Sequence, residues 1–142
     1  YDPVLQRKGI RYIFDYNNRF SKIVQKLIRK GKKIILINCH TYTTTYASHK
    51  HQPPYPDVCL GYETDYRFVT PQAIKEIEDY LVSLGLNVGH NHPYYGVSVP
   101  NEIYLNTFYD NNIRAIMLEI NRNVNLLNYD FNPVIDILKR TF

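Results

Sequence analysis

Two residues in this 142-residue chain have a type and placement suited to hydrolytic chemistry. His40 directly follows a short apolar run at residues 34–37, and Thr41, Thr43, Thr44 and Thr45 surround it with hydroxyls. An imidazole just past a buried strand is a candidate metal ligand, although position alone favours a hydrogen-bonded loop histidine. Glu119 is the sharper signal. It stands among Ile116, Met117, Leu118 and Ile120, where a carboxylate must reach the open end of a strand or be paired, because burying an uncompensated charge is costly. A functional carboxylate and a structural pair with Arg114 or Arg122 fit the residues equally well.

A second group of candidates is His90, Asn91, His92, Pro93, Tyr94, Tyr95 and Gly96, a loop that follows a brief strand and offers several hydrogen-bonding groups. The same residues serve equally as a structural turn. His49 and His51 alternate in a polar segment and read as solvated rather than metal-bound. Asp57 reads either as a strand-start cap or as a partner that orients a ligating histidine.

These candidates need elements to hold them. Phe20, Ile23, Val24, Leu27 and Ile28 recur at helical spacing and Gly31 follows as a left-handed cap, so the pattern predicts a helix over residues 17–30. The β-branched run at 34–37 predicts a strand covered on both faces, with His40 just past its end. Residues 41–56 lack a sustained period, and Pro53, Pro54 and Pro56 predict a long loop without regular structure. Val58, Cys59 and Leu60 form a short strand ending at Gly61. Thr70 as N-cap and Pro71 at the first helical position open a second helix, which Gly85 closes. Its stripe of Ile74, Ile77, Leu81 and Leu84 covers a sheet face. Residues 86–89 and 113–120 complete the strands, and a helix is expected over 133–139. This alternation predicts one α/β domain with a mainly parallel sheet, whose ligands bind beyond the carboxyl ends of the strands.

Composition fits that reading. Hydrophobic residues make up 44% and charged residues 21%, ordinary for a folded domain and far from disorder. The net charge is +4 and the pI near 9.0, but the basic residues gather at Lys30, Lys32 and Lys33 and at Arg7, Lys8 and Arg11. Both clusters read as solvated helix ends rather than a nucleic-acid surface, and the charge would steer acidic small molecules inward. Cys39 and Cys59 sit in apolar runs, as buried thiols of a reducing compartment do, which predicts a cytoplasmic protein. No apolar window is long enough to cross a membrane, and no secretion signal opens the chain.

Taken in order, Ile37-Asn38-Cys39-His40-Thr41, Pro56-Asp57-Val58-Cys59-Leu60-Gly61, Asn91-His92-Pro93-Tyr94-Tyr95-Gly96 and Leu118-Glu119-Ile120-Asn121-Arg122 resemble the N-formylglutamate amidohydrolase family. That family shows Asp-Cys-His-Ser, Arg-Pro-Asp-Ile followed by Leu-Gly, Asn-x-Pro-Tyr-x-Gly, and Glu-Ile-Asn-Arg in the same order. The resemblance covers roughly residues 35–128. It implies a three-layer α/β sandwich of the phosphorylase/hydrolase-like, zinc-exopeptidase type. It also implies that His40 is a Zn2+ ligand, that Glu119 is general base and proton shuttle, and that Arg122, Asn91 and Tyr94 bind the carboxylates of an N-acyl amino acid or peptide-like substrate. Zinc would polarise the scissile carbonyl and acidify its water, while Glu119 moves the proton.

Asn38 and Thr41 depart from the family's Asp and Ser, which keeps hydrogen bonding but removes a charge beside the ligand. The family's earlier His-Ser-Gly segment, which carries further metal ligands, has no counterpart here. A catalytic zinc needs about three protein ligands, so the sequence predicts the C-terminal part of a single amidohydrolase-like domain, incomplete at its N-terminus unless His49, His51, His90 or His92 substitutes. A catalytically silent binding domain with the same fold is the alternative, and an endopeptidase or cell-wall amidase stays open within the zinc class.

Overall fold

The computed structural model describes residues 3–97, 99, 104, 112–125 and 128–142, with side chains from residue 16 onward among these. The elements are α1 (Pro3–Arg29), β1 (Ile34–Tyr42), α2 (Thr44–Ser48), β2 (Val58–Gly61), α3 (Pro71–Ser83), β3 (Val88–His90), β4 (Ile113–Asn121) and α4 (Asn132–Arg140). The side chains of Arg7, Lys8 and Arg11 lie outside the described residues.

Local chemistry accounts for the helix ends. Gly31 takes φ 63° after α1, its N–H donates to the Ile28 carbonyl at 2.8 Å, and Lys32 N–H reaches back to Leu27 at 3.1 Å. This closes the last turn as a left-handed cap should. Thr70 Oγ1 accepts from Ala73 N–H at 3.2 Å and Pro71 opens α3. On α1, Phe20, Val24, Leu27 and Ile28 face the core, whereas Ile23, expected in the same stripe, is 59% exposed.

The sheet order is β1-β4-β2-β3. β1 pairs with β4 and β2 with β3 in parallel, but β2 runs antiparallel to β4, so the sheet is mixed rather than mainly parallel in its central pairing. Strand alternation then separates two cores. Ile116, Leu118 and Ile120 of β4, with Val58 and Leu60 of β2, pack against Ile74, Ile77 and Leu81 of α3 and Val134, Ile137 and Leu138 of α4. Ile113 and Ala115, on the opposite face, pack with Val24 of α1, Ile34, Phe68 and Val97. Helices therefore cover both faces, but α1 covers only the half where β1 and β4 begin.

Two expectations for residues 38–56 are corrected. β1 does not stop at Ile37: the ladder with β4 continues through Asn38↔Met117, His40↔Glu119 and Tyr42↔Asn121, so His40 lies inside the strand. The polar residues stay extended because β4 supplies their backbone partners. The loop also contains α2, opened by Thr43, whose side chain accepts from Tyr46 N–H at 3.2 Å; the prolines begin only five residues after α2 ends.

Candidate functional site

Register aligns His40, Glu119, Cys59 and Gly89 in one row across all four strands, on the face that α1 leaves open. Because β2 is antiparallel to β4, the segment before β2 arrives where β1 and β4 end. Asn121 N–H donates to Asp57 carbonyl at 2.9 Å and the buried Tyr42 hydroxyl donates to the Pro56 carbonyl. Asp57 itself caps the neighbouring turn, its carboxylate accepting from Asn87 N–H at 2.9 Å.

The loop after β3 starts from the other end of the sheet, not from the end where His40 stands, and then folds back across the open face. Asn91, at φ 51°, makes the turn and holds it: its side-chain carbonyl accepts from Tyr62 N–H at 2.9 Å and Gly96 N–H at 3.2 Å. Tyr94 carbonyl accepts from Cys59 Sγ at 3.3 Å, and Asn38 Nδ2 donates to Val97 carbonyl at 3.1 Å, so residues 91–97 form a strap from β3 to β1. Such close contact requires small residues beneath it. A Cβ at Gly61 would collide with the Gly96 carbonyl oxygen and the end of Met117, and one at Gly89 would stand 2.7 Å from Pro56 Cγ.

Where β1 and β4 end, beside Tyr94 of the strap, lies a cavity of about 350 Å³ lined by Thr41, Tyr42, Thr43, Tyr46, Tyr94, Glu119 and Arg122. Glu119 is 7% exposed, and its carboxylate stands 4.0 Å from Nδ1 of the half-exposed His40. That separation permits a charge interaction but exceeds a hydrogen bond. Burial pushes the Glu119 carboxyl above its ordinary range, and His40 opposes the shift. Burial likewise raises the Tyr94 phenol, helped by the Glu119 charge, and the Cys59 thiol. Tyr42 is pushed up to about 12, chiefly by burial. The neighbourhood therefore favours neutral hydroxyls around one carboxylate that is costly to ionise.

The arginine pairs considered from sequence are not formed. Arg114 is engaged with Thr141 beyond α4, and Arg122 donates from Nε to Thr41 Oγ1 at 3.3 Å, making no ion pair with Glu119 among the described residues. Arg122, Tyr94 and Glu119 share the cavity wall; Asn91 is not on it, its carbonyl being used to build the strap. Tyr42 reaches the cavity because β1 continues to it through its ladder with β4, an extension that no apolar pattern of its own announces, and Tyr46 and Cys59 carry no sequence signal either.

The other histidines point elsewhere. His90 turns to α3, with Nε2 3.3 Å from Glu78; His92 Nε2 lies 2.7 Å from the Gln52 carbonyl; His51 packs edge-on to Tyr94 and His92. His49 caps α2. Among the described residues no group of three histidine, cysteine, aspartate or glutamate side chains could hold a metal ion. Beside the carboxylate of Glu119 these donors offer a single imidazole, His40, fewer than the roughly three protein ligands that a catalytic zinc takes.

The N-formylglutamate amidohydrolase family model matches residues 6–126. No curated protein matches the chain. Among solved structures, N-formylglutamate amidohydrolase from Ralstonia eutropha JMP134 is 20% identical with a TM-score of 0.60, over 96% of this chain and 51% of that one. A gene product from Agrobacterium tumefaciens is 17% identical with a TM-score of 0.56, over 89% of this chain and 48% of that one. The chain thus shares their fold and spans about half their length.

Proposed function

The chain belongs to the N-formylglutamate amidohydrolase family, and from that premise we propose that it carries the catalytic face of a zinc-dependent hydrolase that cleaves the amide bond of an N-acyl amino acid such as N-formylglutamate. The observation that carries this reading is the buried Glu119 carboxylate, raised in pKa, beside His40 at a cavity of amino-acid size. Helices on both sheet faces and candidate groups at the ends of β1 and β4 support a zinc-exopeptidase-type architecture. The free Cys39 and Cys59 support a reducing, cytoplasmic setting.

His40 would hold the metal together with further protein ligands. Bound zinc supplies Lewis acidity, polarising a carbonyl and lowering the pKa of water. Glu119 accepts the proton of the attacking water on its carboxylate and returns it to the departing amine nitrogen. Arg122 presents its guanidinium fork to a substrate carboxylate. Tyr94, neutral at physiological pH, donates a hydrogen bond from its hydroxyl. Asn91 contributes by holding the strap that carries Tyr94.

The test is formate release from N-formylglutamate, with zinc in excess, by protein that carries the remaining metal ligands and by its Glu119→Gln variant. General acid–base loss predicts a fall of roughly 10²- to 10⁴-fold in turnover; full turnover in the variant would refute the assignment. A binding domain without turnover is the second reading, favoured by His40 being the single histidine beside the cavity carboxylate. It predicts N-formylglutamate binding with no formate release and no response to added zinc.

A further inference from the structure

Thr41 and Arg122 each wall two spaces. One is the cavity that holds Glu119; the other is a larger space of about 650 Å³ where β4 gives way to the turn after it, lined also by Ile120, Asn121, Asn123 and Val124. The bond from Arg122 Nε to Thr41 Oγ1 joins the two side chains into a ridge between the spaces. Both side chains are exposed, so a ligand can cross the ridge from one space to the other. The turn beyond it is fixed by its own bonds: Val124 N–H donates to the Asn121 carbonyl at 2.9 Å, and the buried Asn121 side chain accepts from Asn123 N–H at 3.1 Å. Asn121 is thus spent on the turn. Asn123 is held there by its backbone, and its exposed carboxamide has no hydrogen-bond partner among the described residues.

The two spaces differ in chemistry. Glu119 stands in the first, whereas the second has no acidic side chain on its wall and Arg122 as its only charge. A free carboxamide offers two donors and an acceptor, which complements the carbonyl and N–H of a peptide unit. Ile120 and Val124 add apolar surface for a short side chain. We infer that the second space is a subsite for a peptide extension: the substrate is an N-acyl amino acid whose own carboxyl group is joined to a further residue, and Asn123 is the specificity-determining residue that binds that linkage. The inference rests on the amidohydrolase reading and lengthens its substrate across the ridge. Water still adds to the acyl carbon and the acyl C–N bond breaks, so that N-formylglutamyl-alanine yields formate and glutamyl-alanine.

The experiment compares N-formylglutamate with N-formylglutamyl-alanine, with zinc in excess, using protein that carries the remaining metal ligands, as wild type and as Asn123→Ala. The variant keeps the backbone N–H that holds the turn. Wild type hydrolyses both compounds and has the lower KM for the dipeptide. Asn123→Ala raises KM for the dipeptide about fivefold, the scale of one neutral hydrogen bond, and leaves its kcat and both constants for N-formylglutamate unchanged. A dipeptide that is not hydrolysed, or whose KM is no lower than that of N-formylglutamate, would overturn the subsite while leaving the amidohydrolase reading intact. Equal KM changes for both compounds in Asn123→Ala, or none, would overturn the role of Asn123. A wild type that hydrolyses neither compound would overturn both readings.

Discussion

Glu119 concentrates the chemistry of the chain in one side chain, and its burial has consequences for stability as well as catalysis. Its carboxyl is raised above the ordinary value of 4.5, with burial as the larger cause and His40 acting against it. Between the ordinary value and the raised one, the unfolded chain carries the charge while the folded chain keeps the proton, so folding takes up a proton there. Stability contributed by the protonated form is complete below pH 4.5 and is lost as pH rises through the raised value. Glu119→Gln removes this loss. We expect the variant to melt at the same temperature as wild type or lower near pH 4, and to gain relative to wild type as pH rises, levelling off once Glu119 is ionised in both states. A melting difference independent of pH would show that the carboxyl is not perturbed. Turnover should rise with pH as Glu119 ionises, because the base must be ionised to accept a proton. At this scale the sequence was informative: a glutamate inside an apolar run is costly unless it reaches the open end of a strand or finds a partner. Asn91 was less legible, since nothing in its type tells whether its carbonyl faces a ligand or, as here, two backbone N–H groups.

At the scale of elements, the strap over residues 91–97 and the glycines beneath it bring Tyr94 to Glu119. Gly61→Ala tests this, because its added carbon meets the Gly96 backbone carbonyl, which cannot swing aside as the end of Met117 can. The expected cost is about 1–3 kcal/mol of stability, typical of overpacking, with the strap lifted from Cys59. Thiol labelling reads the lift directly. Cys39 is exposed and Cys59 buried, so wild type should label in a fast and a slow phase, and Gly61→Ala should accelerate only the slow one. An unchanged slow phase would mean that the strap does not shield Cys59. The strands themselves were readable from the runs at 34–37 and 113–120, and α3 from Thr70, Pro71 and Gly85. The direction of β2 was not, because four residues, Val58 to Gly61, pack equally well either way and carry no signal of polarity. The extension of β1 through Asn38, Cys39 and His40 was hidden for a related reason: its extended form comes from pairing with β4, not from an apolar pattern of its own.

Across the whole molecule, one sheet face is filled by α3 and α4, and the other is divided between α1 and the strap, with the candidate site where they leave the ends of β1 and β4 open. The distribution of histidines over this plan decides what metal chemistry these residues can support. All five histidines are accounted for, and four of them serve α3, α2 or the strap, leaving His40 alone beside Glu119. Zinc at catalytic sites takes about three protein ligands and an open position, and affinity gained from one imidazole falls well short of that. We therefore expect the 142 residues by themselves to bind zinc weakly and to lose it on dialysis, and His40→Ala to abolish what binding there is at this site. Metal analysis after dialysis, with a competing chelator titration, measures both. Stoichiometric zinc retained by the wild-type chain and lost in His40→Ala would keep His40 as a ligand but show that the strap histidines regroup around the metal. Retention that survives His40→Ala would remove His40 from the site and, with it, the pairing of ligand and base on which the proposed hydrolysis depends.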